Sequence, residues 1–275
     1  MVRQYYVDEI TNLSEQELHP VCETVEPPAC LLGGWAVHLH VDQGFQDAYG
    51  RGYIGSRDID IGFRVDPAWS EDDLPDTPVG RSLRNLEEQG YVPLSFRLVR
   101  YFDRETGDII TEEESKQLPP HQVFQMFLDV IPDTEDLDTF HDVFGFHPPA
   151  EPMLRPAFEE DAAEPITQYR AWDLPDTMLI ADPDLLAAMK IRSIPLRDKD
   201  QKRVKDIADL HALLWYVTEY RDMKRSVVRR VTRDDLERMG THLAKQGYED
   251  AADLIGVDPE LIQDSIEQLI ADGTR

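Results

Sequence analysis

Residues 29–65 read ACLLGGWAVHLHVDQGFQDAYGRGYIGSRDIDIGFRV, and the fold turns on them. Ala29-Cys30-Leu31-Leu32 is a short apolar strand. Gly33-Gly34 turns the chain, and the segment from about 34 to 47 predicts a helix. A glycine-containing loop over 50–57 leads to DIDIGFRV (58–65), a half-buried strand. Side chains alternate along a strand, so Asp58 and Asp60 share one face while Ile59, Ile61 and Phe63 take the other. Two acids on one face of a packed strand repel unless a cation lies between them. Magnesium is a hard cation of that kind, held by one or two carboxylates together with substrate phosphate. Glycine lets backbone amides approach a phosphate, and a helix N-terminus adds a favourable dipole. Gly33-Gly34 is therefore a candidate phosphate cradle one helix upstream of a candidate metal pair.

Upstream, Ser14 followed by Glu17 reads as a capping box for a helix over 14–25, ended by Pro27-Pro28. Downstream, 66–78 reads as a loop and 79–89 as a helix closed by Gly90. YVPLSFRLVRYF (91–102) reads as one strand, with Pro93 at an edge or before its start. Glu105-Thr106-Gly107-Asp108 is a hairpin tip, and VFQMFLDVI (123–131) is a strongly apolar strand. Residues 133–166 are rich in Pro, Asp and Glu and read as an inter-domain passage. Asp182-Pro183 starts a helix running to about Ile194. A long amphipathic helix follows from Lys199 to about Glu219, and Thr232 and Asp258-Pro259 start two more. The pattern predicts the α+β class, a mixed sheet with flanking helices followed by a C-terminal helical bundle. The expected division is 1–132, a connecting region over 133–178, and 179–275.

The chain carries 55 Asp+Glu against 28 Lys+Arg, a net charge of -27. The acids are spread through the whole chain, which predicts solubility in a salt-rich cytoplasm rather than an acidic arm. Cys22 and Cys30 are the only cysteines, too few for a disulfide framework or a tetrahedral metal site, and a reducing cytoplasm is the expected compartment. No apolar run reaches membrane-spanning length and no signal-peptide pattern opens the sequence, so no membrane partner is expected.

Asp-x-Asp occurs four times, at 58/60, 136/138, 182/184 and 198/200, and only the first lies in an apolar strand. Asp129 interrupts the apolar strand over 123–131. It reads either as an exposed strand end before Pro132 or as a third ligand facing Asp58 and Asp60. Three carboxylates could hold two metal ions on the attacking and leaving oxygens of a phosphoryl displacement.

Lys190, Arg192, Arg197, Lys199, Lys202, Arg203 and Lys205 form a basic island in this acidic chain. Part of it is explained by i,i+4 pairs, Lys202 with Asp206 and Lys205 with Asp209. The functional reading is a phosphate clamp opposite the carboxylates. The later group Arg221, Lys224, Arg225, Arg229, Arg230 and Arg233 reads as ion-paired, since no stacking aromatics interleave with it. The eight histidines show no metal-ligand spacing.

Taken together, Gly33-Gly34, the following helix, Ser56-Arg57-Asp58-Ile59-Asp60-Ile61 and the later strand bearing Asp129 resemble the nucleotidyltransferase superfamily that includes DNA polymerase beta. The spacing is similar to the AbiEii/AbiGii toxin branch, as are Leu185-Leu186-Ala187-Ala188-Met189-Lys190 and Lys205-Asp206-Ile207-Ala208-Asp209-Leu210. The resemblance implies a nucleotidyltransferase-type sheet and an enzyme that moves a nucleotide from an NTP to an acceptor hydroxyl on RNA or protein. It implies two Mg2+ ions on Asp58, Asp60 and Asp129, triphosphate contact by Gly33, Gly34 and Lys190, and Asp206 as an orienting or proton-accepting group. It also implies an antitoxin protein as partner and an active site in a cleft closed by the helical domain. Trp35 departs from the pattern, standing where the family often has a small phosphate-contacting hydroxyl residue, and Ser56 is the candidate substitute. Transfer to an antibiotic-type small molecule and an inactive nucleotide-binding module are the alternatives.

Overall fold

The structure, a computed structural model, describes residues 2–274. Its secondary structure is α+β, with one eight-stranded mixed sheet and a run of C-terminal helices. The backbone divides into two compact units. One comprises residues 8–35 and 55–181, the other residues 1–7, 36–54 and 182–275.

The sheet unit opens with helix α1 (Asp8–Thr24), which begins well over one turn before the expected start at Ser14. Ser14 and Glu17 are not its cap. Both are buried in mid-helix and bond to distant partners. Strand β1 (Ala29–Leu32) is buried throughout and feeds α2 (Gly33–Tyr49) without a linking residue. Strand β2 (Ile59–Phe63) runs antiparallel to β1. Helix α3 (Pro78–Glu88) is capped by the Thr77 side chain, which accepts from the Gly80 amide.

The single strand expected over 91–102 is two, β3 (Val92–Leu94) and β4 (Arg97–Asp103), paired as a hairpin. Ser95 turns it at φ +61°, a left-handed conformation that no hydrophobic pattern signals. The expected tip over 105–108 joins β4 to β5 (Ile109–Ile110), followed by the short helix α4 (Glu112–Ser115). Strand β6 (Val123–Pro132) pairs antiparallel with β4 and parallel with β2.

The stretch expected as a connecting region is structured. It holds α5 (Asp138–Phe144), α6 (Arg155–Glu159) and two strands, β7 (Ala163–Pro165) and β8 (Met178–Ala181). Strand β8 lies parallel to β1, so the sheet order is β3-β4-β6-β2-β1-β8-β7, with β5 on the outer side of β4.

The helical unit contains α7 (Pro183–Ser193), α8 (Asp200–Tyr216), α9 (Tyr220–Arg230), α10 (Arg233–His242), α11 (Lys245–Ile255) and α12 (Pro259–Gly273). The expected start signals at Asp182-Pro183, Thr232 and Asp258-Pro259 lie where helices begin. Thr232 forms a reciprocal capping box with Asp235. Val41 and Phe45 of α2 are buried in this unit, where Phe45 stacks edge-on against Tyr53 and Tyr216. No helix among the described residues is long and apolar enough to cross a membrane. Cys22 and Cys30 are both buried and form no disulfide.

Candidate functional site

Strand pairing sets the carboxylates. Ile59 and Ile61 are fully buried, which fixes Asp60 on the opposite face, while Asp58 lies in the bend just before β2 rather than in the strand expected from residue 58. In the parallel β2–β6 pair, Asp60 stands beside Asp129, so both carboxylates leave the same face at the same level. Asp129 is buried, so the exposed-strand-end reading is wrong for it. On the other flank of β6, Leu98 pairs with Leu128, which puts Arg97 one step on, opposite Asp129. The Arg97 guanidinium donates to Asp129 Oδ2 at 2.8 Å and lies 3.9 Å from Asp58 Oδ2. It rests over the rings of Phe96 and Phe127, 4.8 and 4.6 Å from their centroids. A buried acid needs a partner, and part of the cation expected between these acids comes from the chain itself.

Gly33 supplies the other wall. Its φ is +63°, and a Cβ placed on it would sit 1.8 Å from Asp60 Oδ2. Only glycine allows the strand-to-helix turn to close against that carboxylate. Gly34 follows in the first turn of α2. Trp35 is core: its indole is buried and Nε1 donates to the Ser14 hydroxyl at 2.9 Å. Its side chain is turned into the interior and is no substitute for a phosphate-binding hydroxyl. Ser56 is buried in the loop before β2, beside Gly55, whose hydrogen faces the Trp35 ring.

Among the described residues no three His, Cys, Asp or Glu side chains form a ready-made metal cluster. The donor chemistry nevertheless fits a hard divalent cation, because Asp60 and Asp129 present oxygen ligands side by side on one sheet face, with Asp58 in the bend that leads into β2. On that face, two residues along β6 from Asp129, a cavity of about 530 Å³ opens. Its walls include Tyr101, Gln125, Phe127, Arg57 and Lys116.

Lys190 and Asp206 belong to the helical unit, in a buried ionic network. Lys190 Nζ donates to Asp206 at 2.6 Å and to Asp209 at 2.8 Å. Arg197 and Ser193 also donate to Asp206, Lys205 to Asp209, and the Tyr53 hydroxyl to Asp209 at 2.9 Å. Burial alone would lower the Lys190 ammonium, but the charges of Asp206 and Asp209 outweigh it and raise it. Burial opposes ionisation of Asp206, and Lys190 and Arg197 overcome this and hold its carboxyl well below the usual range. Lys205 is lowered, first by burial, with Lys190 adding to the shift and Asp209 opposing it. The expected Lys205–Asp209 pair is present, and Asp206 takes Lys190 and Arg197. Four of the six residues in the later basic group are ion-paired, Lys224 with Asp272, Arg225 with Asp222, Arg230 with Asp184 and Arg233 with Glu237, while Arg229 donates to the Ser226 hydroxyl.

No family model, curated protein or solved structure matches the chain. Sequence reasoning missed Arg97, although a signal was present. Arg97 and Arg100 lie three apart in an apolar strand, so they face opposite sides and each needs an acid. Arg100 finds Glu17 at 2.6 Å, and Arg97 finds Asp129.

Proposed function

We propose that the chain is a metal-dependent nucleotidyltransferase whose reaction is carried out at Asp58, Asp60 and Asp129, on a nucleotidyltransferase-type sheet. The observation that carries this reading is the pairing of Asp60 with Asp129 on adjacent parallel strands, closed by a positive-φ Gly33 against the Asp60 carboxylate. A lone packed acid has a structural explanation. Three clustered acids beside a glycine turn at a helix start suit phosphoryl transfer, since they can hold the cations and receive the phosphates that it needs.

Magnesium, held by these three carboxylates, would supply charge neutralisation on the phosphates and activation of the attacking hydroxyl. The chain's own residues do the rest. The backbone at Gly33-Gly34 receives the departing phosphates, with the α2 N-terminus favouring their charge. The acceptor enters from the opposite flank, where the cavity over β4 and β6 reaches Phe127, two residues along the strand from Asp129. The acceptor hydroxyl oxygen bonds to the α-phosphorus as the bond to the bridging oxygen breaks. Pyrophosphate leaves, and the hydroxyl proton passes to an Asp129 oxygen. The cavity size is that of a single nucleoside or small-molecule group. Lys190 and Asp206 stay with the helical unit's ion network and take no step in this scheme. An RNA or protein acceptor, and an antitoxin partner, remain the expectations set by the resemblance.

One observation favours the inactive alternative: Arg97 already neutralises Asp129. Labelled NTP with magnesium and total RNA or protein at molar KCl separates the two. The Asp58→Ala/Asp60→Ala variant folds and transfers no label under the proposal. Equal labelling by this variant and the unaltered chain removes these acids from the mechanism.

A further inference from the structure

Arg97 has a role that charge pairing within a core does not explain. Its guanidinium lies beside two of the three acids that the proposed metal needs, 2.8 Å from Asp129 and 3.9 Å from Asp58. It is held from behind by Phe96 and Phe127. The arginine on the opposite face of β4, Arg100, pairs with one buried acid, Glu17, which also accepts from the Tyr91 hydroxyl at 3.0 Å. Arg97 instead takes as partners the two carboxylates flanking Asp60. Its strand position allows this without strain, because β4 pairs with β6 in a register that brings Arg97 opposite Asp129.

We infer that Arg97 is an internal counter-ion that competes with the divalent cation for Asp58 and Asp129, holding the acids together before metal arrives and giving them up when it binds. The inference rests on the metal-site reading above. Three carboxylates without any cation would repel one another and spread the β2–β6 face. A guanidinium over two aromatic rings keeps a favourable resting place once its carboxylates are taken, since the cation–π contacts do not depend on them. The rings thus lower the cost of the exchange. Phe127, two residues along the strand from Asp129, also lines the cavity, so a displaced guanidinium remains at the rim where an incoming anionic group passes.

The test is Mn2+ binding followed by electron paramagnetic resonance of the free ion, with the unaltered chain, Arg97→Gln, Arg97→Lys and Asp58→Ala/Asp60→Ala. Losing the competitor tightens binding about tenfold in Arg97→Gln, within the usual range for coupled sites. Arg97→Lys lies between, because an ammonium competes as a point charge without the guanidinium fork. The double acid variant binds no Mn2+. If the unaltered chain binds Mn2+ and Arg97→Gln binds it no tighter, the competition is refuted while the metal site stands. If neither binds, the metal reading falls and this inference with it. A second measurement follows the guanidinium of the unaltered chain itself. The Arg97 Nε–Hε signal in the 15N spectrum, identified by its loss in Arg97→Lys, shifts on Mg2+ titration over the concentrations at which Mg2+ displaces bound Mn2+. A signal unmoved at saturating Mg2+ overturns the exchange.

Discussion

Two single residues have consequences that can be measured directly. Gly33 at φ +63° meets the Asp60 carboxylate where any Cβ would be. Gly33→Ala therefore costs about 1–2 kcal/mol for the left-handed backbone alone, plus displacement of Asp60. A fall in the urea midpoint together with loss of Mn2+ binding checks it, and an unchanged midpoint contradicts the packing. His211 is a core histidine, with Nδ1 2.8 Å from the Ser265 hydroxyl. Burial lowers its pKa to about 4. The unfolded chain takes the proton first, near pH 6.5, so this contribution is present above pH 6.5 and lost as pH falls towards 4. It amounts to about 3 kcal/mol. His211→Gln flattens the stability profile between those values, whatever its effect at pH 7. A slope equal to that of the unaltered chain would place the titration elsewhere.

Among elements, α7 and α8 are joined by charge as well as by packing. Lys190 on α7 reaches Asp206 and Asp209 on α8. Lys190→Met leaves both carboxylates buried with less compensation and destabilises the helical unit by about 3–5 kcal/mol. Thermal or urea unfolding monitored by circular dichroism gives the number. A loss under 1 kcal/mol means water reaches the network. The helices themselves were legible in the sequence wherever a cap and a period coincided, as at Asp182-Pro183, Thr232 and Asp258-Pro259. Helices α9 and α11 were not. Their N-cap residues are Glu219 and Ala244, neither of them a residue type that signals a helix start. The β3–β4 turn escaped because Ser95 adopts a glycine-like backbone without being glycine. Strand β8 escaped because four apolar residues before a helix carry no period. The site was half legible. Alternation gave the face of Asp60. The neighbourhood of Asp129 depended on strand order, which no local pattern encodes, and Arg97 entered through that same pairing. Ser14 and Glu17 show the converse. Their spacing matches a cap, yet both were drawn into tertiary bonds that outcompete capping.

For the whole molecule, the surplus of acid sets the solvent in which all of this is stable. With 55 carboxylates against 28 cations, self-repulsion opposes the compact state at low ionic strength. Raising KCl from about 0.1 M to 1 M shortens the Debye length from about 10 to 3 Å. The melting temperature rises over that range, more than for a protein of balanced charge. A flat or falling melting temperature would show that the acids are compensated locally. One further consequence follows from the way the chain visits its two units. Residues 36–54 belong with 182–275, although 127 residues of the sheet unit separate them. During synthesis on a ribosome, all eight strands have emerged once residue 181 clears the exit tunnel, while Phe45 still awaits Tyr216. A nascent chain halted there would carry a complete sheet beside an apolar helix end with nothing to cover it, the kind of surface that chaperones hold.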